Sequence, residues 1–466
     1  MLRRGNAGYV PMVNRVTFLR ARRRGHALWV AFTFLVVFCG GGAGIVSAAP
    51  PFSVEKAIDA LANSSATRPY WNADERLRAT VAECHMELLY ISALPNAVEE
   101  RLVDLTGASH PDVVRCRALV TLMMRNSDRG LQIAARQIRS RDTIQRLMAW
   151  ISLEWYSGDV VRSEKWLPAK RVVELFSDEP DKDVRKGMIA WFGRRKLREA
   201  VVVLCHTAGD QHRSSSEDAV DALGRIGDPR SVDAIIHAPS LLPYRLLAIA
   251  RIGGREGVDF LIENLDQPMA PFALAETGDP RGIAPLRASL ARLEQREMEM
   301  ERSGQRHLRQ RERDALILRV IDARVALMKL ESKDPNDALM KLAEDRKQVQ
   351  FARDAAMAYL QGPRAAPPPA RVLALYQAEQ GSAMGTECIE ILAPMPGEEI
   401  TKAMISHLAK LERKERKWAR DDATPNADAI FKVESVRNRL IDVLHRRIGN
   451  KLFELPFWSE NEKDVK

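Results

Sequence analysis

A segment of about 25 residues occurs three times in the middle of the chain, and this repeat constrains the fold more than any other feature. The segment 222–232 reads ALGRIGDPRSV; it matches 248–258 after a shift of 26 positions and 273–283 after a further shift of 25. Small, apolar and turn-forming residues recur in register in all three copies. A period of this length is typical of solenoids, in which each unit buries its apolar face against neighbouring copies.

Each copy carries the local signals of two short helices joined by a tight turn. Ala222 and Gly224 are small enough to let the first helix approach a neighbour closely. Gly227 is placed for the left-handed conformation that ends a helix. Asp228 can then cap the following helix, and Pro229 suits its first position, where no N–H group is needed. The equivalent turn residues in the other two copies are Gly253, Gly278, Asp279 and Pro280.

This pattern resembles the HEAT-like repeats of the phycobilin-lyase type, whose consensus runs close to small-Leu-Gly-x-Ile-Gly-Asp-Pro. The stretches 222–236 and 272–286 follow it well, whereas 247–261 carries Gly254-Arg255 in place of Asp-Pro. Weaker copies of the HEAT opening, an aspartate followed by Val-Arg and an apolar stripe, extend the array. They lie at 110–119 and 181–193, with a degenerate copy at 326–335. The resemblance implies an all-α chain, an α-solenoid of stacked helix-turn-helix repeats.

Two segments interrupt the array. Residues 294–314 carry twelve charges of both signs and few apolar anchors, which predicts a solvated helical arm or, alternatively, a charged docking arm. Residues 362–370 are rich in proline and predict an exposed linker. The predicted divisions are a leader 1–48, N-terminal helical repeats 52–178, HEAT-like repeats 179–293, the charged arm 294–314, a helical repeat 315–361, the linker 362–370, a C-terminal helical region 371–450 and a tail 451–466.

The N-terminus has the composition of a secretory signal. Seven arginines lie in the first 24 residues, no acidic residue precedes Glu55, and an uncharged apolar stretch follows at 27–38. The small residues after it predict signal-peptide cleavage after Ala48. The alternative is an uncleaved membrane anchor through 27–49. Both readings place the residues from Pro50 onward outside the cytoplasm, in the periplasm or the extracellular space.

The positive charge of the chain belongs to this leader. The formal net charge of +9 falls to +2 once the seven leader arginines are set aside. A sequence pI of about 9.3 would otherwise favour a nucleic-acid-binding protein. We therefore expect no nucleic-acid partner.

The five cysteines are too sparse for a disulfide framework. Cys84 and Cys116 are 32 residues apart, close to one repeat, so a bridge between adjacent layers is conceivable. Apolar packing of each thiol is the favoured interpretation.

A search for catalytic and cofactor motifs finds none of the common ones, whether phosphate loops, HExxH, paired CxxC or GxSxG. We therefore expect no enzyme activity and no cofactor. Cys205, His206 and His212 form a weak candidate metal site, but their spacing matches no standard ligand set, and a buried cysteine beside a polar loop is favoured. The resemblance to bilin-lyase repeats leaves an enzyme or enzyme subunit as the alternative.

The remaining candidate for function is a surface. In solenoids of the HEAT type, the second helix of each repeat usually lines the concave side, where partners bind. Its polar positions are Asp233 and His237 in one repeat, then Asp259 and Glu263 in the next. Stacked together they would form a short acidic strip, although ordinary solvated helix positions are the favoured interpretation of these four residues. The sequence thus favours an exported, non-catalytic scaffold that binds a protein or peptide.

Overall fold

The computed structural model describes most of the chain after the leader. The described residues are 58, 61, 73–83, 88, 91–92, 97–158, 160–302, 310–362, 365–420 and 427–452. The predicted signal sequence, the alternative anchor through 27–49, and Cys84 lie outside these residues.

The described residues form 22 α-helices and no β-strand, so the chain is all-α as predicted. The N-terminal helices are α1 (Ala73–Glu83), α2 (Ala97–Leu105), α3 (Asp112–Met124), α4 (Asp128–Gln137), α5 (Thr143–Leu153), α6 (Val160–Glu164) and α7 (Ala169–Asp178). The central helices are α8 (Lys182–Arg195), α9 (Val201–Ala208), α10 (Arg213–Ile226), α11 (Val232–His237), α12 (Leu242–Ile252), α13 (Arg255–Glu263), α14 (Ala270–Thr277) and α15 (Ile283–Arg302). The C-terminal helices are α16 (Gln310–Glu331), α17 (Pro335–Glu344), α18 (Gln350–Leu360), α19 (Pro369–Ala378), α20 (Ala383–Leu392), α21 (Glu398–Arg420) and α22 (Ala427–Ile448).

The helices stack as an α-solenoid. The first helices of successive pairs form an unbroken layer, in which each contacts the next: α1, α3, α5, α8, α10, α12, α14, α16, α18 and α20. Second helices pack beside them, and α9, α11 and α13 also contact one another in order. One continuous apolar core runs through the array, from Ile58 to Leu452. Because each pair covers the apolar face of its neighbour, the interior is built by repetition.

The turns inside the repeats follow from local chemistry. Gly227 and Gly278 end α10 and α14 in the left-handed conformation, with φ of 75° and 69°. Asp228 and Asp279 then accept hydrogen bonds from the backbone two residues later and open a short 3-10 turn that leads into the second helix. In the divergent copy, Gly253 and Gly254 both have positive φ and replace this capped turn. The three glycines therefore lie at successive bends of one stack.

Glycine also sets the distance between first helices. A Cβ atom added to Gly224 would lie 2.7 Å from the Cα of Ala248 on the next first helix. One added to Gly193 would lie 2.9 Å from the Cα of Ala222. The small residues of the repeat consensus thus bring neighbouring backbones into direct contact.

The charged segment after Leu293 belongs to two helices. α15 ends at Arg302 and α16 begins at Gln310, and the two helices contact each other. A small separate core of Leu293, Leu316, Val320 and Ala323 lies between them. The charged residues of this segment therefore extend a helix pair that has apolar packing of its own.

The proline-rich segment is short in the described structure. Residues 365–368 are not helical, and α19 begins at Pro369 because the first helical position needs no N–H group. Pro367 is buried.

No helix within the described ranges combines the length and apolar character required to cross a bilayer.

Candidate protein-binding surface

Second helices of three successive repeats present equivalent positions to solvent. The first set of positions consists of Val202 on α9, Asp233 on α11 and Asp259 on α13. Each of these residues directly follows a buried valine. Val202 is 63% exposed, and the side chains of Asp233 and Asp259 are 83% and 51% exposed. Four residues further along the same helices, His206, His237 and Glu263 are also exposed. We call these six residues the second-helix surface.

Two acidic side chains of this surface have polar partners. Nδ1 of His237 lies 3.2 Å from Oδ1 of Asp233 and 3.0 Å from its backbone oxygen. Asp259 accepts a hydrogen bond from Nη1 of Arg281, which belongs to the following repeat, at 2.9 Å. The expected strip of four polar residues is therefore a mixed surface, in which Asp233 and Asp259 have polar partners and all three carboxylates, with Glu263, are exposed.

Arg281 was not anticipated from the sequence, although the repeat contains a signal for it. The same position of the Asp-Pro-Arg turn carries Arg230, whose Nη2 lies 2.7 Å from Oδ2 of Asp228. Hydrogen bonds from the Arg230 side chain and backbone lower the pKa of Asp228 to about 2. The Arg281 guanidinium likewise lowers the pKa of Asp279. The turn thus holds a carboxylate in its charged form beside an arginine, and Arg281 also reaches the preceding repeat.

The weak candidate metal site does not assemble. Cys205 is half-buried and its thiol pKa is raised by burial, while His206 points to solvent at the exposed side of the same helix. His212 precedes α10 and makes no side-chain cap there. Within the described part of the chain, no group of three or more His, Cys, Asp or Glu side chains is arranged to hold a metal ion.

The described cysteines are free thiols in apolar or half-buried positions. Cys116 is a fully buried free thiol, and Cys84, the other half of the conceivable bridge, lies outside the described residues. Burial raises the pKa of both Cys116 and Cys388 to about 12. Neither thiol forms a thiolate at neutral pH, so neither is suited to nucleophilic chemistry.

An arginine near the start of several first helices binds the end of the preceding second helix. Arg115 donates to the backbone oxygen of Thr106 at 3.3 Å, Arg245 to that of Ile236 at 2.7 Å and Arg353 to that of Ala343 at 2.8 Å. A cation near a helix C-terminus also complements the helix dipole. The Val-Arg signature seen at Arg115 was the sequence signal for this contact, but the signature does not show what the guanidinium binds.

Comparisons with known proteins address the repeat itself. The family model described as PBS lyase HEAT-like repeat matches residues 217–238, which include most of α10, the Asp-Pro turn and α11. No curated protein gives a significant match to the chain. Among solved structures, an engineered protein determined by the Northeast Structural Genomics Consortium is 14% identical to this chain. That likeness covers 83% of this chain and 98% of the engineered one, with a TM-score of 0.28.

Proposed function

We propose that this chain, a HEAT-like repeat protein, is an exported, non-catalytic scaffold that binds an extended protein segment on its second-helix surface. The observation that carries the proposal is the alignment of equivalent exposed positions on three second helices that contact one another in order. A periodic surface of this kind offers equivalent contact positions at each repeat.

The spacing of the surface suits an extended peptide. Packed helices are about 8–10 Å apart, and an extended chain advances about 3.3 Å per residue. About every third residue of such a peptide would therefore meet one repeat. Val202 would contact an apolar side chain at one end, and Glu263 would attract a basic side chain at the other.

The chemistry of the described residues supports a binding role. The thiols of Cys116 and Cys388 have raised pKa values, and the part of the chain described here contains no cluster suited to a metal ion. Export rests on the leader, in which a basic stretch precedes an apolar one and a small-residue cleavage site.

Selection from a displayed peptide library on the purified full chain tests the binding proposal. We expect enrichment of peptides with an apolar residue followed several positions later by lysine or arginine. The double variant Asp233→Asn with Glu263→Gln should weaken their binding about tenfold. The matched control, Asp178→Asn with Asp210→Asn, removes the same charge from exposed positions elsewhere and should leave affinity unchanged.

Two results would contradict the proposal. Equal loss of binding in the double variant and its control would show that net charge, rather than this surface, attracts the peptide. Formation of a covalent adduct when the protein is incubated with a bilin and an acceptor protein would favour the enzyme alternative instead. N-terminal sequencing of the protein from its native cell tests the expected cleavage after Ala48.

A further inference from the structure

Charges are segregated on the C-terminal half of α21. Lys410, Arg413, Lys414 and Lys417 are all exposed. Their spacing of i, i+3, i+4 and i+7 places them on one face of the helix, over a length of about 10 Å. We call these four residues the basic stripe.

The two carboxylates in the same part of α21 face α22 rather than solvent. Oε1 of Glu412 lies 2.5 Å from Nε of Arg437 on α22, and Oε2 of Glu415 lies 3.4 Å from the same atom. The side chains of Glu412 and Arg437 are 8% and 12% exposed. Both acids therefore face Arg437 on α22 and form no ion pair with the stripe.

The described contacts of the stripe are not ion pairs. Lys410 donates to the amide oxygen of Gln380 at 3.1 Å, and Arg413 donates to the backbone oxygen of Ala409 at 3.3 Å. The Nζ atom of Lys414 lies 5.0 Å from the ring centre of Trp418. Among the described residues, no carboxylate lies within ion-pair distance of any of the four cations.

We propose that the basic stripe of α21 docks onto a bilayer surface through the phosphate groups of anionic lipids. The apolar face of α21, with Met404, Leu408 and Leu411, is buried against the core, so the stripe lies on the outside of a single helix. A planar array of anionic headgroups can contact all four cations at once. The helix stays in the solenoid, so attachment is electrostatic and reversible. This inference does not depend on the proposed peptide-binding function.

Lysine footprinting of the full chain tests the proposal at the level of single residues. The rate at which an amine-reactive acylating reagent modifies Lys410, Lys414 and Lys417 should fall at least about threefold on vesicles that contain about one-third phosphatidylglycerol. The rates should recover in about 0.5 M salt, which screens charges beyond a few ångströms. Lys170, Lys182 and Lys186, which are exposed elsewhere in the array, serve as internal controls in the same sample.

A pair of variants supplies an independent readout by vesicle co-sedimentation. Replacing all four stripe residues with glutamine should lower the partition coefficient at least about tenfold relative to a variant that carries Lys165→Gln, Lys170→Gln, Lys182→Gln and Lys186→Gln. Both variants keep the arginine-rich leader, so only the difference between them reports on α21.

Three outcomes would overturn the proposal. The first is unchanged modification of the stripe lysines on anionic vesicles. The second is equal protection by vesicles of phosphatidylcholine alone, which would show that charge is not the cause. The third is protection by single-stranded RNA without protection by vesicles, which would assign the stripe to a nucleic acid.

Discussion

Nε of Arg353 at the start of α18 donates a hydrogen bond to the backbone oxygen of Ala343 near the end of α17, at 2.8 Å. Nη2 of the same guanidinium lies 2.9 Å from Oε1 of Glu379, which follows α19. Arg353 is 6% exposed. One buried cation therefore ties together three successive helices and satisfies a carbonyl that has no partner within its own helix.

Replacing Arg353 with methionine should lower the free energy of unfolding by about 3 kcal/mol, because it leaves Glu379 and the helix end without their buried partner. Urea denaturation followed by circular dichroism measures this change. Arg346→Met is the matched control, since Arg346 approaches the same carboxylate at 3.4 Å but its side chain is 66% exposed. The control substitution should lower the free energy of unfolding by less than about 1 kcal/mol. Equal effects of the two substitutions would contradict the role assigned to burial.

Replacing Gly224 with alanine should destabilise the central repeats by about 1–3 kcal/mol. The new Cβ would lie 2.7 Å from backbone Cα of Ala248, so two first helices would have to move apart. Amide hydrogen exchange should report faster opening of α10 and α12. In Gly209→Ala the nearest atom is 3.4 Å away, which is ordinary contact, and stability should change by less than about 0.5 kcal/mol. A stable Gly224→Ala protein would show that the helix spacing is adjustable.

The free energy of unfolding should fall as the pH drops from about 6.5 to about 4, in part because of the protonation of His407. His407 is 3% exposed and its Nδ1 lies 2.7 Å from the hydroxyl of Tyr376. Burial, with a contribution from Lys410, lowers the pKa of His407 to about 4. The folded state thus binds fewer protons than the unfolded state in this window, and acid favours unfolding. His407→Gln keeps a hydrogen-bonding group without titration, so the variant should show a smaller loss of stability between these pH values.

Glu415 should contribute a pH dependence of the opposite sign. Burial and the neighbouring Glu412 and Glu434 carboxylates raise its pKa to about 7, although Arg437 opposes the shift. The folded state therefore binds more protons than the unfolded state between about pH 4.5 and 7, and the contribution of Glu415 is lost as the pH rises through this range.

The variant Glu415→Gln should remove this dependence and flatten the stability profile of α21 and α22 above pH 4.5. Hydrogen exchange of these two helices at several pH values provides the measurement. Glu399→Gln, at an exposed position on the same helix, is the control and should leave the profile unchanged. A profile that is identical for wild type and Glu415→Gln would show that this carboxyl titrates normally in the folded state.

The repeat and its turns were predictable because they depend on residues close together in the chain. Gly227 ends a helix and Asp228 caps the next turn through contacts within a few residues, so their positions follow from backbone chemistry. The all-α class followed from the same period. Helix pairs outside 219–293 were harder to delimit because their turns depart from the consensus, as at the start of α19 on Pro369.

The surface could be predicted only in part. The exposed positions of Asp233 and Glu263 follow from helical periodicity. The pairing of Asp259 with Arg281 joins residues 22 positions apart, and the contact of Arg353 with Glu379 joins residues 26 positions apart. Such pairs require a definite offset and rotation between neighbouring repeats, which no local pattern encodes.

The alternation of short helices with capped turns at a fixed period follows from local residue chemistry, because capping and helix termination depend on neighbours in the chain. The packing of one helix against another, in contrast, establishes which charges meet and which remain on the surface. Arg437 draws Glu412 and Glu415 inward and leaves Lys414 and Lys417 exposed, and this division arises when α21 packs against α22. Stacking of helices sets the direction of long side chains, and that direction determines the electrostatic character of the surface.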